Sequence, residues 1–122
     1  MTEAAVYLRS AVDRERRDPT PPGITDALAR AAGFAQSYGY SVVAWFQDVT
    51  TDPIPGATSA FVDLLATLDQ GTAQIVLAPA REWLSPTQEA QRRMAEMIDA
   101  HGGTLVIVDA VEALGIAPRP DA

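Results

Sequence analysis

The sequence predicts an α/β domain, a three-layer α/β/α sandwich around a mainly parallel sheet of four or five strands. Three observations carry this. Apolar runs of strand length recur along the chain as AAVYLR, YSVVAWF, AQIVLA and TLVIVD. Segments with helical apolar spacing separate them. The runs themselves are apolar on both faces, the pattern of strands buried between two helical layers.

Each element follows in order. Residues 4–9 form the first strand, ending in Arg9 and Ser10. The segment DPTPPG at 18–23 breaks regular structure, because its prolines fix φ and remove donors. A helix follows with Ile24, Leu28, Ala31, Ala32 and Ala35 on one face, closed by Gly39. Residues 40–46 form the second strand, and DVTTDPIPG at 48–56 is a turn-rich loop. A second helix buries Phe61, Leu64, Leu65 and Leu68 behind a Thr58 or Ser59 cap. Residues 73–78 form the third strand. Ser85-Pro86-Thr87-Gln88 reads as a helix start with a serine cap, a proline in the first turn and a glutamine for a capping box. That helix buries Ala90, Met94, Met97, Ile98 and His101 and stops at Gly102-Gly103. Residues 104–109 form the fourth strand, AVEALG a last helical turn that Asp109 caps, and 118–122 a frayed tail. One domain over 1–117 is expected.

Composition narrows the function. A formal charge of −7 opposes a nucleic-acid polyanion at long range, so binding would need a local arginine patch. The one cluster, Arg14, Arg16 and Arg17, is interleaved with Asp13, Glu15 and Asp18 and reads as a solvated loop. With no cysteine, disulfides and thiolate metal sites are excluded. No apolar stretch suits a membrane span and no signal-like segment opens the chain, so a cytoplasmic protein without membrane contact is expected.

Right-handed crossovers place the strand C-termini along one edge, where open α/β sheets collect functional residues. That edge carries Arg9, Ser10, Asp48, Arg81 and Asp109. No glycine-rich dinucleotide fingerprint follows a strand, and a chain without lysine has no phosphate loop of the Gly-Lys-Ser/Thr type. The acidic residues and lysine of a phospho-acceptor receiver are missing, as is a flavin-phosphate loop. A single histidine, His101, rules out a Ser/His/Asp triad at that edge and a His-based metal centre. It reads as a capping or half-buried residue. No cofactor and no metal is expected.

Tyr7-Leu8-Arg9 at the end of the first strand, VVAWFQD ending at Asp48, FVDLLATLDQGTAQIVL, Arg81 and GGTLVIVD occur in that order. Together they resemble the N-terminal catalytic domain of serine recombinases of the resolvase/invertase type, over nearly the whole span from Ala5 to Asp109. The resemblance implies a resolvase-like fold and attack of a serine hydroxyl on a DNA phosphodiester, with arginines neutralising the phosphate in the transition state. Carried over, the family's Tyr-x-Arg-x-Ser motif keeps Arg9 but places the nucleophile on Ala11. The expected glutamine falls on Ala27, the arginine before Phe-x-x-Leu-Leu on Thr58, the Asp-Arg pair on Ala80-Arg81, and a further arginine on Leu84. Arg9 and Arg81 remain.

Ser10 does not replace the missing nucleophile, because neighbouring residues on a strand point to opposite faces. Arg9 is then a relic or a salt-bridge partner for Asp48. The favoured reading is a catalytically degenerate recombinase-like domain acting as a binding or regulatory module, through a protein partner or self-association. Weak homodimerisation at most is expected, through Trp83 and the Pro53–Pro55 loop, and direct DNA binding by the isolated domain is not expected. Two alternatives stand beside it. One is an active small recombinase using Ser10. The other is an unrelated small α/β protein that binds an anionic ligand at Arg9 and Arg81.

Overall fold

A computed structural model describes residues 2–10, 23–50, 56 and 59–114. Its elements are β1 (Thr2–Ser10), α1 (Ile24–Tyr38), β2 (Tyr40–Val49), α2 (Ala60–Asp69), β3 (Ile75–Ala78), a 3-10 turn (Arg81–Trp83), α3 (Gln88–Ala100), β4 (Thr104–Ile107) and α4 (Val108–Ala113). The four strands pair in the order β2-β1-β3-β4, all parallel. The expected sandwich forms, with an all-parallel sheet of four strands among the described residues.

Alternation along β1 builds both cores at once, since successive side chains leave a strand on opposite faces. Ala4 and Val6, with Leu77 of β3, pack against Ala31, Phe34 and Ala35 of α1 and Val108 of α4. Ala5 and Tyr7, with Val76 and Ala78, pack against Phe61 and Leu64 of α2 and Met94 and Ile98 of α3. The chain leaves β1 for β2 on one side and later crosses to β3 on the other. The strand order therefore reverses between β1 and β3, which puts the C-terminal ends of these strands at the topological switch point.

One extra residue turns β2 over. Ala4 pairs with Val42 but Ala5 pairs with Ala44, so Val43 bulges out of the ladder. A bulge reverses the facing of everything beyond it. Tyr40 and Val42 accordingly join the α1 side, whereas Ala44 and Phe46 join the α2–α3 side. Trp45 and Val49 lie on the edge strand about half exposed, at 49% and 52%. The expectation that β2 is buried on both faces is corrected here, because β2 is an outer strand.

Several local expectations shift. In α1 the buried face is Ile24, Ala27, Ala31, Phe34 and Ala35, while Ala32 is exposed. The α3 cap is Thr87, whose Oγ1 accepts the Ala90 N–H at 3.2 Å. Ser85 is instead fully buried behind the 3-10 turn, and its carbonyl accepts from Gln91 Nε2 at 2.9 Å. The chain is still turning at Ser85, so the helix begins after Pro86. Asp109 lies inside the first turn of α4 and is not its cap, because Ile107 occupies that position. Ser59 does cap α2, accepting the Val62 N–H, and Gly39 closes α1 with a left-handed φ of 75°. His101 ends α3 half-buried, as expected, and its Nδ1 lies 2.7 Å from Asp69 Oδ1 at the end of α2.

Leu77 sits on an inner strand and has no exposed surface. Replacing it with alanine is expected to cost about 2–5 kcal/mol through lost transfer energy and a cavity. Leu114→Ala, at a residue 73% exposed, is expected to stay within about 0.5 kcal/mol. Urea denaturation midpoints check both.

Candidate functional site

At the C-terminal end of the sheet β1 delivers Arg9 and Ser10, the turned-over half of β2 delivers Asp48, and the 3-10 turn after β3 delivers Arg81. Arg9 and Asp48 are direct partners across the β1–β2 ladder.

Asp48 is the most heavily engaged side chain there. Its Oδ2 accepts the Tyr7 hydroxyl at 2.7 Å and the Phe61 N–H at 3.1 Å, and its Oδ1 accepts the Ala60 N–H at 2.7 Å. Asp48 therefore reinforces the start of α2 beside the Ser59 cap, where a carboxylate also meets the positive end of the helix dipole. The sequence marked it as the acidic end of a strand, but helix anchoring depends on a long-range contact.

Tyr7 is fully buried and meets Phe61 edge to face at a centroid distance of 5.3 Å. Burial raises its pKa far above the ordinary phenol value, as do the hydrogen bond to Asp48 and the Asp48 charge; the positive charge of Arg9 opposes the rise. Tyr7 is thus a fixed donor to Asp48.

Arg9 is 7% exposed, and its Nη2 donates to the Thr50 carbonyl at 2.7 Å, tying β1 to the end of β2. Ser10 is also buried. Its carbonyl accepts the Thr50 N–H at 3.0 Å, and its Oγ has no hydrogen-bond partner among the described residues. Arg81 is exposed and lines a cleft of about 390 Å³ with Gln88, Gln91 and Arg92 of α3. Arg9 and Arg81 share an edge but have different neighbours.

The positions that the family resemblance assigns to polar site groups look inward. Ala27, Ala80 and Leu84 are all buried, and Leu84 belongs to the core with Tyr7 and Phe61. Ala11, Thr58, the Arg14–Arg17 segment and the Pro53–Pro55 loop lie outside the described residues. Trp83 is half-buried rather than open, close to Gly23, and the exposed tryptophan is Trp45. Among the described residues no cluster of His, Asp or Glu could hold a metal ion, and no helix is long and apolar enough to cross a membrane.

No protein-family model and no curated protein matches this sequence, but solved structures match its fold. A resolvase family site-specific recombinase from Streptococcus pneumoniae aligns with a TM-score of 0.70 at 15% identity, covering 99% of this chain and 78% of that one. The N-terminal catalytic domain of TP901-1 integrase gives 0.69 at 14% identity, over 89% of this chain and 78% of that one. A serine recombinase from Sulfolobus solfataricus gives 0.53 at 15% identity, over 91% and 76%. The fold is that of serine recombinase catalytic domains, as the order of motifs in the sequence implied.

Two outcomes are expected from the Tyr7–Asp48 contact. Asp48→Ala should cost about 2–4 kcal/mol, combining a lost helix cap of about 1 kcal/mol with an orphaned buried hydroxyl of about 1–3 kcal/mol. Adding Tyr7→Phe should recover part of that loss in a double-mutant cycle. The second concerns pH. A phenol whose pKa is raised on folding contributes stability that is fully present below its unfolded value of about 10 and lost as pH rises beyond it. The tyrosinate absorbance that Tyr7→Phe removes should therefore be missing from native protein at about pH 11 and appear on unfolding in urea.

Proposed function

We propose that this domain is a catalytically silent member of the serine recombinase fold, acting as a binding or regulatory module. One observation carries the reading. Three positions at which the resemblance calls for polar groups around the scissile phosphate are Ala27, Ala80 and Leu84, each at most 5% exposed and packed into the fold. The sequence adds Ala11 at the nucleophile position and Thr58 where an arginine is expected.

Electrostatics supports the same reading. Phosphoryl transfer by this chemistry depends on several cations converging on one phosphate, and each lost donor costs roughly a hundredfold or more in rate. Arg9 is buried and donates to a backbone carbonyl, while Arg81 lines a separate cleft. Among the described residues, no converged set of guanidinium groups stands at the end of β1 to receive a phosphodiester. A chain of charge −7 also gains little from the counterion release that drives DNA association.

A second reading rests on Ser10. Its hydroxyl stands at the switch point with no hydrogen-bond partner among the described residues, so it is not consumed by the fold there. Strand cleavage through Ser10 would require that hydroxyl, now 6% exposed, to open toward a DNA phosphate.

The two readings separate in one experiment. Fluorescence anisotropy with labelled duplex DNA across a salt series should give no binding tighter than about micromolar near physiological salt. Denaturing gels should show no covalent protein–DNA adduct for wild type, Ser10→Ala or Ala11→Ser. Restoring one hydroxyl at Ala11 leaves the missing charges missing. Sub-micromolar binding with a steep salt slope, or an adduct that disappears in Ser10→Ala, would overturn the silent reading in favour of the second.

A further inference from the structure

The cleft beside Arg81 has a composition unlike the rest of the chain. Along α3, Gln88, Gln91, Arg92 and Ala95 follow the i, i+3, i+4, i+7 spacing of a single helix flank. This flank lies next to the core stripe Ala90, Met94 and Ile98 and faces the edge strand β4. Leu84, Leu105 and Ile107 supply the apolar surface between the helix and the strand.

The charges are segregated. The sequence holds 16 acidic and 9 basic side chains, yet among the described residues no acid lines this cleft. Two of the five described arginines, Arg81 and Arg92, do line it. Neither makes an ion pair among the described residues, whereas the adjacent Arg93 is turned to Glu89 at 3.3 Å on the solvent side of the helix. The Gln91 carboxamide is held in place by its bond to the Ser85 carbonyl, so part of the polar lining is preorganised. Cations and amides lining an apolar floor, in a cavity of about 390 Å³, form the kind of concavity that takes a small ligand.

We propose that the cleft between the 3-10 turn, α3 and β4 binds a small amphipathic organic anion, its charged group held by Arg81 and Arg92 and its apolar body resting on Leu84, Leu105 and Ile107. The guanidinium groups supply charge-assisted hydrogen bonds to a carboxylate, phosphate or sulfonate. The apolar floor makes an inorganic anion a poorer ligand than one carrying a ring or short aliphatic chain. The site needs neither Arg9 nor Ser10 and shares only Arg81 with the positions the family resemblance assigns.

The test is a nuclear magnetic resonance titration of the full chain, labelled with nitrogen-15, using phenyl phosphate, inorganic phosphate and benzyl alcohol as probes. Phenyl phosphate should shift amides of the 3-10 turn, of residues 88–95 and of β4. The other two probes should bind at least roughly tenfold more weakly, since each lacks one half of the recognition. Arg81→Gln and Arg92→Gln should each weaken phenyl phosphate roughly tenfold. Arg30→Gln, on α1 across the sheet, should leave it unchanged. Both cleft arginines are exposed, and the spectrum of each variant reports its folding directly. Unchanged affinity in folded Arg81→Gln and Arg92→Gln, shifts located off the cleft, or equal affinity for inorganic phosphate would overturn the proposal.

Discussion

The carboxylate of Asp48 joins three elements that are far apart in sequence. It takes the Tyr7 hydroxyl from the centre of β1 and the first two backbone N–H groups of α2, while its own strand runs alongside β1. A helix start leaves its leading N–H groups without intrahelical partners, and a buried phenol needs an acceptor. One side chain meets both needs. The position of α2 over the sheet, and with it the packing of Phe61 on Tyr7, depends on this contact.

That contact exists because of the Val43 bulge. In an unbroken ladder with the register of Val42, Asp48 would share the α1 side with Tyr40 and Val42, away from α2. The extra residue rotates the second half of β2 and delivers Asp48 to the helix start. The same rotation puts Trp45 and Val49 on the α1 side of an edge strand, where they remain about half exposed. A single inserted residue thus sets both the anchoring of α2 and the apolar character of one sheet edge.

At the end of β1 the described side chains are engaged in structural bonds. Arg9 is spent in part on the Thr50 carbonyl, Asp48 on α2 and Tyr7, and Leu84 on the core. Hydrogen bonds help buried charges persist in folds, and Arg9 keeps one such bond, from Nη2 to the Thr50 carbonyl. Among the described residues, the exposed Arg81 and Arg92 line a different concavity with its own apolar floor.

The sequence alone determined the alternation of strands and helices, the parallel sheet, the glycine stop of α1, a Thr58 or Ser59 cap for α2 and the likeness to serine recombinase catalytic domains. These are local or periodic signals, since apolar period, cap chemistry and turn residues act within a few positions. It also identified Arg9, Ser10, Asp48 and Arg81 as residues of one edge, because parallel topology dictates where strands end. Tertiary structure alone decided what each of them touches. The inward burial of Leu84, the pairing of Tyr7 with Asp48 and the lining of one cleft by Arg81 and Arg92 all join residues from different elements. The bulge at Val43 follows from register against β1, which no pattern within YSVVAWF records. Ser85 lost the cap position to Thr87 for a similar reason, as the preceding 3-10 turn carried it into the core. Periodicity fixes which faces are apolar, but side-chain partners depend on how those faces are brought together in three dimensions.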